Sequence, residues 1–135
     1  MLALLREAEL PERGVAASFG NFLVIRSAGR VVAAAGLEVC GEHGLLRSVV
    51  VDPGFRGRGL AGRLVRALVA RASRRRLRAL YLLTTTARGF FLRQGFSDCA
   101  RTAAPKDVEE SWEFRSGCPA SSSFMRRTLG RVRRP

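Results

Sequence analysis

The run Asp52-Pro53-Gly54-Phe55-Arg56-Gly57-Arg58-Gly59-Leu60-Ala61 follows an apolar segment, Leu45 to Val51, and opens a long amphipathic stretch. Arginine alternating with glycine between a strand and a helix suits one kind of chemistry, the holding of a phosphate. The backbone amides of Arg56 to Ala61 would converge on an anion, and the helix N-terminus would add partial positive charge, together worth on the order of 1–2 kcal/mol. Gly57 and Gly59 let the main chain approach closely. A tight strand-to-helix turn with no ligand would need the same small residues, and the loop alone does not separate the two readings. It is not a P-loop, since Gly-Lys-Ser/Thr is missing. Gly57-Arg58-Gly59-Leu60-Ala61-Gly62 spells G-x-G-x-x-G, but no acidic residue follows about 20 residues on, which argues against a dinucleotide site.

Acid–base candidates are few. Glu38 sits in an otherwise apolar run, where a carboxylate is costly unless it is paired or used. It is either a base or an outward-facing partner for one of many arginines. His43, the only histidine, lies in a Gly-flanked turn, as a proton relay or as an exposed residue without a role. Cys40, Cys99 and Cys118 have neither even number nor C-x-x-C spacing, so no disulfide framework and no metal site are expected.

The elements that must position these residues follow from pattern. Leu2, Leu5 and Ala8 mark a short helix over 2–9, stopped by Pro11, and 14–18 is loop-like. Phe22 to Arg26 and Val31 to Val39 form a hairpin around Ser27-Ala28-Gly29-Arg30, and a second turn, 41–44, leads into a third strand, 45–51. The strand before the glycine loop therefore belongs to an antiparallel meander. From Gly59 to Arg76, Leu60, Leu64, Ala67, Leu68 and Ala72 lay an apolar stripe along a helix. Ala79 to Leu83 reads as a strand parallel to the third, in a right-handed crossover. Thr84-Thr85-Thr86 offers caps for a helix from Ala87 to Gln94, stopped by Gly95. Phe96 to Ala100 reads as a strand, 101–120 as irregular, Ser122 to Leu129 as a last strand, and 131–135 as a basic tail.

The chain has 135 residues, 47% of them hydrophobic and 26% charged, which describes one folded domain over 1–135 without a second unit. No apolar run approaches about 18 residues and the first residues lack a leader pattern, so a cytoplasmic protein with no membrane partner is expected. Net charge is +13, carried by arginine, with Lys106 the single lysine. This suits a phosphate-rich ligand or a nucleic acid, and equally a coding bias on a solvated surface. No recognition motif or aromatic-interleaved basic surface supports nucleic acid.

Arg56-Gly57-Arg58-Gly59-Leu60-Ala61 resembles the Arg/Gln-x-x-Gly-x-Gly/Ala signature of the GNAT family of acyl-CoA-dependent N-acetyltransferases, preceded by that family's apolar strand and Asp-Pro. Ala87 to Phe96 resembles its second hallmark, a short helix ending in Gly-Phe. Leu46-Arg47-Ser48, Tyr81 to Thr86 and Phe114 to Ser121 resemble a bacterial subgroup named for its association with arsenic-resistance operons. The resemblance implies an α/β fold of the α+β kind, with a central mixed sheet flanked by helices and splayed around acetyl-CoA between the third strand and the Tyr81 strand. It implies that Val49, Val50 and Val51 meet the pantetheine arm, with an amide near Val49 polarising the thioester, and that Arg56, Gly57, Arg58, Gly59, Leu60 and Ala61 hold the pyrophosphate.

The implied partner is a small-molecule amine, with arsenical or amino-acid-analogue detoxification as one use, and a homodimer stays open. Arg47, Ser48 and Thr85 would line the acceptor pocket, although Arg47 is equally suited to a salt bridge with Glu38 or Glu42. Glu38 would be the base. Where many members carry a tyrosine acid beside CoA this chain has Phe91, which cannot donate a proton; solvent or Tyr81 would serve, unless Tyr81 is a half-buried aromatic only. The family also has a strand before the first helix, for which this sequence has no residues. Two other readings stand beside the acetyltransferase: an acyl-CoA-binding module without turnover, and a basic nucleic-acid binder.

Overall fold

The computed structural model describes residues 22–111, 114–115 and 121–130. The expected helix over 2–9, the loop at 14–18, Cys118 and the tail at 131–135 lie outside the described residues. Among the described residues six strands form one mixed sheet. They are β1 (Phe22–Ser27), β2 (Arg30–Cys40), β3 (His43–Val51), β4 (Ala79–Thr84), β5 (Ser97–Asp98) and β6 (Ser123–Thr128), in spatial order β1-β2-β3-β4-β6-β5. The helices are α1 (Leu60–Arg74), α2 (Arg88–Arg93) and α3 (Lys106–Glu109). No helix among the described residues is long and apolar enough to cross a membrane.

The meander forms where turn chemistry allows it. Ala28 and Gly29 both take positive φ, 50° and 78°, the requirement of the two-residue hairpin turn that pairs Ser27 with Arg30. Gly41 at φ 60° does the same for Cys40 and His43, so β3 begins at His43 and the histidine belongs to the strand rather than to the turn. β3 then leaves β4 early. The two parallel strands pair only at Gly44 with Leu80 and Leu45 with Tyr81, while β4 stays fully paired with β6 on its other side. From Leu46 onward one edge of β3 has no ladder partner among the described residues.

Two cores cover the two faces. On one, Leu64, Val65, Leu68 and Ala72 of α1 pack on Ala33, Ala35, Leu37, Leu46, Leu80, Leu82 and Met125, with Phe91 and Phe96 closing one end. On the other, Val108 of α3 is buried against Cys40, Leu45, Ala79, Tyr81 and Phe124. Ala67, expected in the stripe, is exposed on the outer face instead, and Val65 is buried on the core side; the stripe so corrected fixes the helix N-terminus, and the glycine loop before it, at the open end of β3. Gly95, at φ 90°, ends α2 as expected, with Phe96 N donating to Phe91 O at 3.0 Å.

Two expectations are corrected. The run Phe96 to Ala100 yields only the two-residue β5, which pairs Ser97 with Arg126 and Asp98 with Met125; one more bond, Cys99 N to Phe124 O at 2.9 Å, follows before the chain turns at Arg101–Ala103. The segment 101–120 is not wholly irregular, since it holds a 3-10 turn, Arg101–Ala103, and α3.

Candidate active site

The glycine loop is a prepared concavity. Asp52 ends β3; its Oδ1 accepts from Gly54 N at 2.8 Å and its Oδ2 from Arg30 Nη1 at 2.7 Å, so the turn Pro53–Phe55 is held from both sides. The Arg30 guanidinium, with the Gly54 amide, holds the Asp52 carboxyl below its ordinary range. Arg58 lies 4.8 Å over the Phe55 ring. Gly57 and Gly59 take φ 81° and 76°, and a Cβ built on either would meet nothing within 4 Å. The chain is therefore in the left-handed region at both points with open space in front. Gly59 caps α1 without a side chain and no acidic residue lies in the first turn, so the first amides of the helix face outward uncompensated.

β3 is kinked beside that loop. Ala34 faces Val50 and Gly36 faces Arg47, so Ser48 and Val49 together stand opposite Ala35. This is a β-bulge, with Ser48 at φ 60°, a conformation that costs a non-glycine residue about 1–3 kcal/mol. The bulge resets alternation. Leu46 and Val49 both join the α1-side core, and Arg47 and Val50 stay off it. Ser48 Oγ is sealed from solvent without a hydrogen-bond partner among the described residues. Bulges sit where a strand must re-aim its groups, and this one stands beside the unpaired edge of β3.

The face away from α1 carries the polar groups. Arg47, with a side chain 2% exposed, donates from Nη1 to Glu38 Oε1 at 3.2 Å. Glu42 instead pairs with Arg78 at the surface, at 2.7 Å. Tyr81 is buried, stacked on Phe124 at 5.5 Å and met edge-on by His43 at 5.8 Å. His43 Nδ1 contacts Asp107 of α3 at 3.1 Å, a pairing that ties α3 to the start of β3. Cys40 lies on this face too, and burial, with Glu38 and Asp107 nearby, pushes its thiol up to about 12.

The predicted site residues fall into three places. Val49, Val50 and Val51 lead along the open edge of β3 into Arg56, Gly57, Arg58, Gly59, Leu60 and Ala61, one continuous path. Glu38, Arg47 and Tyr81 share the opposite face, with Ser48 at the bend between. Phe91 lies in the α1-side core between Phe90 (4.9 Å) and Phe96 (5.7 Å), the same core that Val49, Val51 and Leu60 pack against. Thr85 is exposed just beyond β4, and the cap of the α2 entry comes from Thr84, whose Oγ1 accepts from Ala87 N at 3.0 Å. Asp107 is the residue that sequence reasoning misses. It lies 64 positions from His43, and no local pattern marks it.

A sheet that opens between two parallel strands, a bulge at the opening and an anion cradle at the end of the opened strand define an acyl-CoA-binding class of transferase fold. The model of the Acetyltransferase (GNAT) family matches residues 4–96, and the chain belongs to that family. An amino-acid acetyltransferase of Ralstonia nicotianae is 32% identical over 115 residues, covering 82% of this chain and 25% of that protein. Among solved structures, N-acetylglutamate synthase from Neisseria gonorrhoeae, complexed with coenzyme A and N-acetyl-glutamate, superposes with a TM-score of 0.82 at 20% identity, over 96% of this chain and 32% of that one. Rv2747 from Mycobacterium tuberculosis, crystallised with CoA, gives 0.79 at 23% identity, over 94% and 90%. The chain thus spans a quarter to a third of the length of the first two relatives.

Proposed function

We propose that this chain transfers an acetyl group from acetyl-CoA to the amine of an amino acid or a close amino-acid analogue. The observation that carries this reading is the unpaired edge of β3, which runs from the Ser48 bulge directly into the Gly57–Gly59 cradle. Bound acetyl-CoA would supply the thioester carbonyl that the amine attacks, with CoA released as the thiol. The main chain of Val49, Val50 and Val51 would hold the pantetheine arm, an amide near Val49 would meet the carbonyl oxygen, and the amides of Arg56 to Ala61 would hold the pyrophosphate. The open space in front of Gly57 and Gly59 fits that group, since any side chain there would fill it.

Arg47 and Glu38 supply the acceptor half. A zwitterionic amino acid can exchange into their ion pair, its carboxylate going to Arg47 and its ammonium to Glu38, and Glu38 then takes the ammonium proton. The amino-acid acetyltransferase relative supports this acceptor class. The proton owed to the departing thiolate comes from Tyr81 or from solvent, because Phe91 has none to give. A free thiol's pKa of about 8.5 makes it an undemanding leaving group.

Thiol release from acetyl-CoA, followed with a panel of amino acids, their decarboxylated amines, and analogues bearing phosphinic or arsinic groups, tests the reading. Release with amino acids and not with the decarboxylated amines is expected. Tight acetyl-CoA binding with no release on any amine would make the chain a binding module instead.

A further inference from the structure

Between Pro53 and Ser97 the chain carries eleven arginines and neither aspartate nor glutamate. Arg78 is answered by Glu42, and Arg88 by Asp98. Arg56 and Arg58 belong to the cradle. Further along, Arg66, Arg71, Arg74, Arg75 and Arg76 make no ion pair among the described residues. Arg66, Arg74, Arg75 and Arg76 are exposed and Arg71 is half-buried.

Their placement separates all but Arg66 from the cradle. At about 1.5 Å rise per residue, this group begins about 10 Å beyond Gly59 and extends for about 15 Å more. Arg66 folds back over Gly62 of the first turn, its Nη1 3.0 Å from where a Cβ on that glycine would stand, whereas Arg71, Arg74, Arg75 and Arg76 lie too far along the helix for a phosphate seated on the first turn to use them. Ala67 and Ala70 share the outer face with Arg66 and Arg74 and are exposed, so only methyl groups stand between the cations. At the C-terminal end Arg76 takes the left-handed position usually given to glycine, at φ 63°, while Leu77 N returns to Ala72 O at 3.1 Å. The helix thus ends in three consecutive basic residues where its dipole alone would repel an anion.

The character of the face selects the partner. Stable protein interfaces are anchored by apolar and aromatic centres, and the outer face of α1 offers none. A bilayer-surface helix needs bulky apolar groups, and single-stranded nucleic acid is held by aromatic stacking; both are missing here as well. A duplex backbone requires only cations along a rod, since it presents one charge per about 1.7 Å of its axis. We propose that the outer face of α1 binds the phosphate backbone of double-stranded nucleic acid without reading its sequence, as a function separate from acetyl transfer.

Fluorescence anisotropy with a labelled 20-base-pair DNA duplex of arbitrary sequence provides the test. Five phosphate contacts predict that affinity falls about 500-fold between 50 and 200 mM salt, from a logarithmic slope of about −0.9 per contact. The triple variant Arg74→Glu/Arg75→Glu/Arg76→Glu should bind more weakly at 50 mM and lose only about 12-fold over the same range, while acetyl-CoA affinity and circular dichroism stay unchanged. Saturating acetyl-CoA should leave duplex binding intact. Four results would overturn the proposal. They are no binding at 50 mM salt, an unaltered slope in the triple variant, displacement by acetyl-CoA, which would move the site to the cradle, or equal affinity for a 20-residue polyglutamate, which would make the face one for acidic proteins.

Discussion

Arg47 Nη1 donates to Glu38 Oε1 across 3.2 Å, from a side chain 2% exposed to one 29% exposed. The ladder sets this contact. Gly36 faces Arg47 and Glu38 faces Leu45, which puts the two charged residues diagonally on the face away from α1. In the proposed reaction a substrate carboxylate takes the place of Glu38 on this buried guanidinium. Arg47→Gln is expected to raise KM for the amino-acid acceptor by at least 30-fold, taking about 2 kcal/mol as the smallest loss for a buried, hydrogen-bonded charge pair. KM for acetyl-CoA should stay as it is. An equal rise for both substrates would make Arg47 a structural residue.

Glu38→Gln keeps the shape of that side chain and removes its ability to accept a proton. Steady-state kinetics should show kcat lowered by about 100-fold or more, the ordinary contribution of a positioned base, with acceptor KM changed far less. If kcat holds, another group takes the proton and Glu38 serves only to keep Arg47 in place.

At Gly59 the backbone and the ligand make different demands, and two variants separate them. The φ of 76° means that Gly59→Ala pays left-handed strain of about 1 kcal/mol, although its methyl group meets nothing in the protein. Gly59→Glu carries the same strain and adds a negative charge at the mouth of the cradle. Calorimetry should find acetyl-CoA bound weakly by the first and not at all by the second, with both folded by circular dichroism. Equal affinities would show that the loop is a turn and not a cradle.

These positions were readable from sequence because the signals are local. The hairpin turn at Ala28-Gly29, the stripe of α1 and the stop at Gly95 each occupy a few consecutive residues whose chemistry dictates the backbone. Glu38 and Arg47 lie nine residues apart across one tight turn, so their pairing was within reach of alternation. Other features depend on distant partners. β5 is short because the chain turns away at Arg101–Ala103 although β6 runs on to Ser123, and α3 has four residues with one apolar anchor, Val108, too few to show a period. The left-handed Ser48 and its bulge have no sequence mark, since any residue forced there would carry the strain.

The Asp52 ion pair makes a pH prediction for the cradle. Arg30 and the Gly54 amide depress the Asp52 carboxyl in the folded chain, so its contribution is present above the unfolded value of about 3.9 and is lost as pH falls through the lower folded value. Asp52→Asn keeps an acceptor for Gly54 and removes the charge that meets Arg30. Thermal unfolding from pH 3 to 7 should show wild type above Asp52→Asn at pH 5 to 7, with the two converging toward pH 3. A gap that does not change with pH would mean that the carboxylate charge is not what holds the turn.

Cys40 and Cys99 differ in environment although both pack in the same face. Cys40 is buried, and its thiol is pushed up to about 12 by burial and by the carboxylates of Glu38 and Asp107, so at pH 8 almost no thiolate is present. Thiolate is the species that alkylating agents and trivalent arsenic require. Among the described residues no group of three or more His, Cys, Asp or Glu side chains is placed to hold a metal ion. Peptide mapping after iodoacetamide at pH 8 should find Cys40 unlabelled while Cys99, half-buried, reacts, and denaturant should expose both. Native mass measurement with arsenite should leave the folded chain unchanged in mass. Labelling of Cys40 at the rate of Cys99 would mean that the α3 face opens readily, and an arsenite adduct would show that thiols of the folded chain can converge.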